Sequence, residues 1–200
     1  MKYKYFFWDF DGMLCDTYPH VQAAFIKALR ECGREEIDEK KVYDDLKINF
    51  GEAIRNFNME GESLRLFNLY YRDLSLEPHS YLFPHIEDIL KIIVEKGGKN
   101  FIYTNRDEVL FEYLDEFDIR KYFTDFKISA RKPTPEPLYE LFEKYSLDKA
   151  ECVVVGDRNL DCLGGKNAGI DGILFDPDYR EKDIVARFVI RDTGELYEFV

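Results

Sequence analysis

The sequence predicts an α/β protein: a doubly wound, Rossmann-like parallel sheet with a small all-helical segment inserted after the first strand. Three observations predict it. From residue 85 onward, short apolar runs alternate with helical stretches, the pattern of consecutive βα units. Residues 16–83 show helical spacing of apolar residues and no strand alternation. The strand-like runs that end near residues 8, 103 and 155 pass straight into polar or charged residues, where open parallel sheets bind ligands.

The first element is the aromatic run Tyr3 to Trp8, which reads as a buried strand and stops at Asp9-Phe10-Asp11-Gly12. Residues i and i+2 of a strand share a face, so Asp9 and Asp11 can face one site if the chain stays extended. Two carboxylates held that close repel, and one pKa rises unless a cation lies between them. A hard divalent ion with oxygen ligands, Mg²⁺ above all, is the natural counter-ion. The plainer alternative is a pair of turn carboxylates before a glycine.

The insert reads as roughly four helices over residues 21–32, 36–47, 52–57 and 62–76. Helical spacing is clear in Val21, Ala24, Phe25, Ala28 and Leu29, and again in Leu66, Leu69, Tyr70 and Leu74. Its many aromatic residues, Phe25, Tyr43, Phe50, Phe57, Phe67, Tyr70 and Tyr71 among them, are mostly expected in its interior. His20 opens the insert, where its residue type reads as a capping or surface histidine. His79 and His85 flank the return and receive no role.

The chain then returns through a helix over 85–96 that stops at Gly97-Gly98. Strand 99–103 ends in Thr104-Asn105, whose hydroxyl and amide can bond an anion, helped by free N–H groups of the next helix. Asn105 to Glu108 is equally readable as a helix capping box. A helix over 107–117 and a strand over 125–128 precede Arg131-Lys132-Pro133. Prolines fix the path into the helix 135–145 and could hold Lys132 toward a phosphate; an ordinary solvated lysine is the alternative. Strand 151–155 then meets Gly156-Asp157-Arg158-Asn159-Leu160-Asp161, which places two carboxylates i, i+4 at the start of the helix 159–168. Capping explains one of them, but not a second Asp pair closing a second apolar strand. Strand 170–175 follows. The tail holds a short strand at Phe188-Val189-Ile190 and a capped final helix near Thr193. Gly164-Gly165-Lys166 is not a phosphate loop, because Leu160 stands where that motif needs its first glycine.

Composition bounds the partners. A chain of 200 residues, 46% hydrophobic and 34% charged, can bury a sizeable core. The net charge of -12 argues against nucleic acid and anionic membrane. Local positive charge must then come from a metal, Lys132, Arg106 and Arg158. No apolar run approaches a membrane span, and the first strand, broken by Asp9 and Asp11, does not read as a signal peptide. The four cysteines, Cys15, Cys32, Cys152 and Cys162, lack metal spacing and suggest a reducing, cytoplasmic setting.

Taken in order, Asp9-Phe10-Asp11-Gly12, Thr104-Asn105, Lys132-Pro133 and Gly156-Asp157-Arg158-x-x-Asp161 resemble the four motifs of the haloacid dehalogenase superfamily of phosphohydrolases. The stretch Gly156 to Gly172 and Asp16-Thr17-Tyr18-Pro19 are similar to its phosphoglycolate phosphatase-like branch. Met13 departs from the pattern, which often carries Thr there. The resemblance implies residues 1–15 and 84–200 as the catalytic core and 16–83 as a cap that selects substrate. It implies a Mg²⁺-dependent phosphatase of a small organic phosphomonoester, acting as a monomer or homodimer. Asp9 would be the nucleophile that forms an aspartyl-phosphate, and Asp11 the general acid and base. Asp9, the main-chain carbonyl of Asp11, Asp157 and Asp161 would hold the metal. Thr104, Asn105 and Lys132 would hold phosphate, with His20 and Arg106 as substrate-selecting residues. A sugar-phosphate mutase with the same motifs is the first alternative. A non-enzymatic phosphoprotein-binding module is the second, and the intact Asp9 and Asp11 weigh against it.

Overall fold

The computed structural model describes residues 1–200 and divides into two compact units, Met1–Cys15 with Leu82–Val200, and Asp16–Tyr81. The first unit carries a six-stranded sheet with strand order β5-β4-β1-β6-β7-β8. These strands are β1 (Tyr5–Trp8), β4 (Lys99–Tyr103), β5 (Phe123–Lys127), β6 (Cys152–Gly156), β7 (Asp171–Phe175) and β8 (Phe188–Ile190). Every adjacent pair is parallel. The central strands β1, β4, β6 and β7 are buried almost throughout, as continuous apolar runs in a parallel sheet must be. The chain runs outward from β1 to β5, then returns to build the other wing from β6. The order therefore reverses between β1 and β6, the position beyond whose strand ends open parallel sheets bind ligands.

Helices cover both faces of this sheet. Phe7, Phe101, Tyr103, Cys152 and Val154 form one cluster with Leu138, Leu141 and Phe142 of α7 (Glu136–Tyr145) and Ala168 of α8 (Asn159–Ala168). Toward the opposite face, buried Asn100 accepts from Trp8 Nε1 at 2.9 Å and donates to the Leu90 carbonyl of α5 (Ile86–Glu95) at 3.0 Å. That bonding removes the cost of burying an amide in an apolar layer. The next helix, α6 (Leu110–Glu116), starts later than its sequence suggests, because Asp107 Oδ1 accepts the Val109 N–H in a local turn at 3.2 Å. The final helix is a 3-10 segment, Thr193–Glu198, capped by Asp192.

The second unit is helical: α1 (Tyr18–Glu31), α2 (Glu39–Ile48), α3 (Phe50–Asn56) and α4 (Gly61–Tyr71). Asp38 caps α2 by accepting the Lys41 N–H, and Asn49 caps α3 by accepting the Glu52 N–H. Val21, Ala24, Phe25, Ala28 and Leu29 are fully buried against Val42, Leu46, Leu66 and Phe67. Two expectations need correction here. Leu69 is exposed, and α4 stops at Tyr71 rather than near residue 76. Asp73 takes the Ser75 N–H and hydroxyl into a turn that competes with the helix. The chain enters and leaves the unit through β2 (Cys15–Asp16) and β3 (Tyr81–Leu82), a two-stranded sheet too short to show alternation in sequence.

Candidate active site

The site is built at the ends of β1, β4, β5 and β6. The Asp9 N–H still bonds the Val155 carbonyl at 2.9 Å, so Asp9 is registered against β6 one residue past β1. The chain then turns at once. The Phe10 carbonyl accepts from Met13, Leu14 and Cys15, and Gly12 takes a φ of 81° that other residues rarely adopt. Asp9 and Asp11 therefore leave the strand in different surroundings rather than sharing its face. Met13, where the resemblance expects Thr, is a buried apolar residue of this turn.

Asp9 sits in a buried cluster of charges. Lys132 Nζ lies 2.7 Å from Asp9 Oδ1 and 2.7 Å from Asp161 Oδ1, and the three side chains are 0–1% exposed. Asp9 Oδ2 has no hydrogen-bond partner. The guanidinium of Arg158 lies 4.0 Å from Asp9 Oδ2 and 3.8 Å from Asp157 Oδ1. Burial pushes the Asp9 carboxyl well above the ordinary carboxylate range, with Lys132 the chief counterweight. Burial alone would lower Lys132, but Asp161 and Asp9 together hold it above its ordinary value.

Three further contacts place Lys132. The Lys132 N–H donates to Asn105 Oδ1 at 2.9 Å, the Ala130 N–H to the Thr104 carbonyl at 2.9 Å, and the Ser129 N–H to the Arg106 carbonyl at 2.8 Å. The loops after β4 and β5 are thus laced together. Asn105 is this clamp and does not cap α6, which has no side-chain cap. Thr104, also buried, accepts the Arg106 N–H at Oγ1, and its hydroxyl proton remains for an anion. Tyr103 forms the floor, its ring 4.9 Å from Lys132 Nζ and its hydroxyl donating to the Thr134 carbonyl at 2.8 Å. Nothing in the sequence singled out Tyr103, because its role comes from partners distant in the chain.

Asp161 serves two elements. Oδ1 pairs with Lys132, and Oδ2 accepts the Arg158 N–H at 3.0 Å, capping α8. It packs so closely on Gly156 that any Cβ there would overlap the carboxylate, which explains the glycine after β6. Oxygens of Asp9, Asp157 and Asp161 lie within 4.8 Å of one another. Oxygen-only donors, an excess of negative charge and the bare Asp9 Oδ2 fit a hard divalent cation such as Mg²⁺. With Asp161 engaged twice within the protein, Asp9 and Asp157 are the side chains best placed to face it.

The two residues expected to select substrate are placed otherwise. His20 is buried in the helical unit, its ring nitrogens 3.1 and 3.4 Å from the Leu76 and Tyr71 carbonyls. It ties α1 to the segment after α4 and does not present its ring to a ligand. Arg106 has no exposed side-chain surface and grips Asp11. Its Nε lies 3.1 and 3.0 Å from the two Asp11 oxygens, and its Nη2 also donates to Oδ1.

Residues 6–175 match the sequence profile of haloacid dehalogenase-like hydrolases. Phosphoglycolate phosphatase of Vibrio parahaemolyticus is 26% identical to the chain, over 96% of this chain and 93% of its own length. A solved structure of a hydrolase from Streptococcus pneumoniae is 34% identical, with a TM-score of 0.67 over 88% of this chain and 94% of that one. A Clostridium difficile structure described as a phosphatase superposes with a TM-score of 0.86 over the full length of both chains, and at 18% identity it speaks for the fold alone. No helix is long and apolar enough to cross a membrane.

Proposed function

The chain belongs to the haloacid dehalogenase-like hydrolase family, as a phosphatase, and we propose that it is Mg²⁺-dependent and hydrolyses a small organic phosphomonoester through a phosphoryl group carried on Asp9. The observation that carries the reading is the Asp9 carboxylate. It is buried at the strand-order reversal, with one oxygen held by Lys132 and the other without a hydrogen bond. A carboxylate so held is oriented and poorly solvated, the condition of an activated nucleophile.

In the first half-reaction Asp9 forms a bond to phosphorus while the ester P–O bond breaks, and Asp11 gives its proton to the departing oxygen. In the second, a water oxygen bonds phosphorus as the Asp9–phosphorus bond breaks. Asp11 takes the proton from that water, so inorganic phosphate leaves, the Asp9 carboxylate is freed and Asp11 ends protonated, as it began. Lys132, the Thr104 hydroxyl and the Asn105 N–H would hold the equatorial phosphoryl oxygens as charge shifts onto them. Bound Mg²⁺ supplies positive charge that offsets repulsion between carboxylate and phosphate. Asp9, Asp157, the main-chain carbonyl of Asp11 and, behind them, Asp161 would hold it. The helical unit, Asp16–Tyr81, acts in this reading as the substrate-selecting cap. The free cysteines Cys15, Cys32, Cys152 and Cys162 support a reducing, cytoplasmic setting.

The test is phosphate release from a panel of small phosphomonoesters, 2-phosphoglycolate and hexose 1-phosphates among them, with Mg²⁺ and with EDTA. Mg²⁺-dependent release is expected, with product analysis on the hexose phosphates to exclude phosphoryl transfer back to sugar. A folded protein inert toward the whole panel would overturn the reading.

A further inference from the structure

We propose that Arg106 is a positioning residue for Asp11, whose guanidinium fork fixes the carboxylate that moves the proton in both half-reactions. The proposal rests on the role given to Asp11 above. A single hydrogen bond would leave an Asp side chain on a turn free to swing. Here both Asp11 oxygens are engaged by Arg106, through Nε and Nη2, in a forked contact that sets the plane of the carboxylate as well as its distance.

Arg106 is itself immobilised on three sides. Its guanidinium lies 4.8 Å from the Tyr113 ring centroid and 5.5 Å from that of Phe10, which are buried and 5.5 Å from each other. Its N–H is bound to Thr104 Oγ1 and its carbonyl to the Ser129 N–H. The same residue therefore links the loops after β1, β4 and β5. Exposure divides the work between the partners. The Arg106 side chain is 0% exposed and that of Asp11 is 14% exposed, so only Asp11 presents surface to a reacting group. Arg106 acts through Asp11 and not on substrate. Lysine cannot reproduce the fork, because it carries a point charge on a flexible stem.

The test is a double-mutant cycle of Arg106→Lys with Asp11→Asn, measured on an alkyl phosphate and on p-nitrophenyl phosphate with Mg²⁺. Misplacing a reacting group by about 1 Å can cost a hundredfold, so Arg106→Lys should lower kcat about ten- to a hundredfold on the alkyl ester. KM should stay within about threefold, and the loss on the aryl ester, which needs the proton least, should be smaller. In the Asp11→Asn background the same change should cost less than about threefold, because its target is gone. Arg106→Met, which keeps the apolar stem against the rings, supplies a second variant, and circular dichroism melting establishes folding for each. Equal losses in both backgrounds, or a KM effect with kcat unchanged, would overturn the proposal. So would failure of both variants to fold. A fully active Asp11→Asn protein would instead remove the role of Asp11 itself, and is recognised from that single variant.

Discussion

The two carboxylates that follow β1 stand two residues apart, and each meets its nearest cation on another loop. Asp9 meets Lys132, fully buried, through one oxygen only. Asp11 meets Arg106 through both oxygens, and its side chain keeps some surface. The choice of cation matches the difference. A lysine ammonium is a point charge that can neutralise an oxygen and leave its neighbour available. An arginine fork defines the whole carboxylate plane. The first arrangement suits a group that must attack, the second a group that must hold a fixed direction while passing a proton.

The largest expected effect breaks the comparison at its first member. Asp9→Asn keeps shape and loses the anion, so turnover should fall by at least about 10⁴-fold for every substrate, aryl esters included. The variant should melt no lower than the parent protein, because burial already disfavours the charged Asp9. Normal turnover in a folded Asp9→Asn protein would sink the mechanism.

Asp11→Asn should separate from it by leaving group. The loss on alkyl esters should reach about 10²- to 10⁴-fold, the usual contribution of a positioned acid or base, and should be smaller in the phosphorylation step of p-nitrophenyl phosphate. Equal losses across leaving groups of very different pKa, with chemistry rate-limiting, would remove Asp11 from the acid role.

Lys132→Met tests the first cation. It strands Asp9 and Asp161 in a buried site without their shared partner, and breaking a buried pair costs about 3–5 kcal/mol. A urea midpoint shift of that size is expected, together with loss of activity. If stability moved by less than about 1 kcal/mol, the site would have to be wetter than its burial indicates.

These contrasts were unequally legible in the sequence. Strand ends are local events, so Asp9, Asp11, Thr104, Asp157 and Asp161 could be read from apolar runs stopping at polar residues, and Lys132 from the proline-set turn that follows it. The parallel sheet also followed from alternation, since parallel strands need crossover helices, whereas the order of its six strands did not. Partnerships were not legible. Arg106 reaches Asp11 across 95 positions, and Lys132 reaches Asp161 across 29, distances over which no spacing rule operates. Asn105 fitted a capping box because its side chain can bond any nearby N–H. Which one it takes depended on how the loop after β5 returns. His20 looked like a substrate residue from its position alone, and the carbonyls that hold it, Tyr71 at the end of α4 and Leu76 beyond it, lie 51 and 56 positions away.

The smallest expected effect uses a carboxylate outside the site as a reference. Asp125, on β5, accepts from Lys144 at 2.8 Å, from the Tyr145 hydroxyl at 3.1 Å and from the Phe126 N–H at 2.8 Å, tying the edge strand to α7. Its pairing is as complete as that of Asp11, yet it stands far from the chemistry in role. Burial pushes its carboxyl up, but the Lys144 bond, followed by the Phe126 and Tyr145 bonds, outweighs burial and holds it below the ordinary value of 3.8. A depressed folded-state pKa adds stability that is present above the unfolded value and is lost as pH falls through the folded one. Asp125→Asn should therefore cost about 1 kcal/mol at pH 7, the worth of a partly exposed charge-assisted contact, with kcat unchanged. The stability gap between parent and variant should hold steady down to about pH 4 and close below it, as urea titrations at stepped pH would show. A gap that widened on acidification, or a fall in kcat, would mean that complete pairing of a carboxylate does not distinguish structural duty from the work of Asp11.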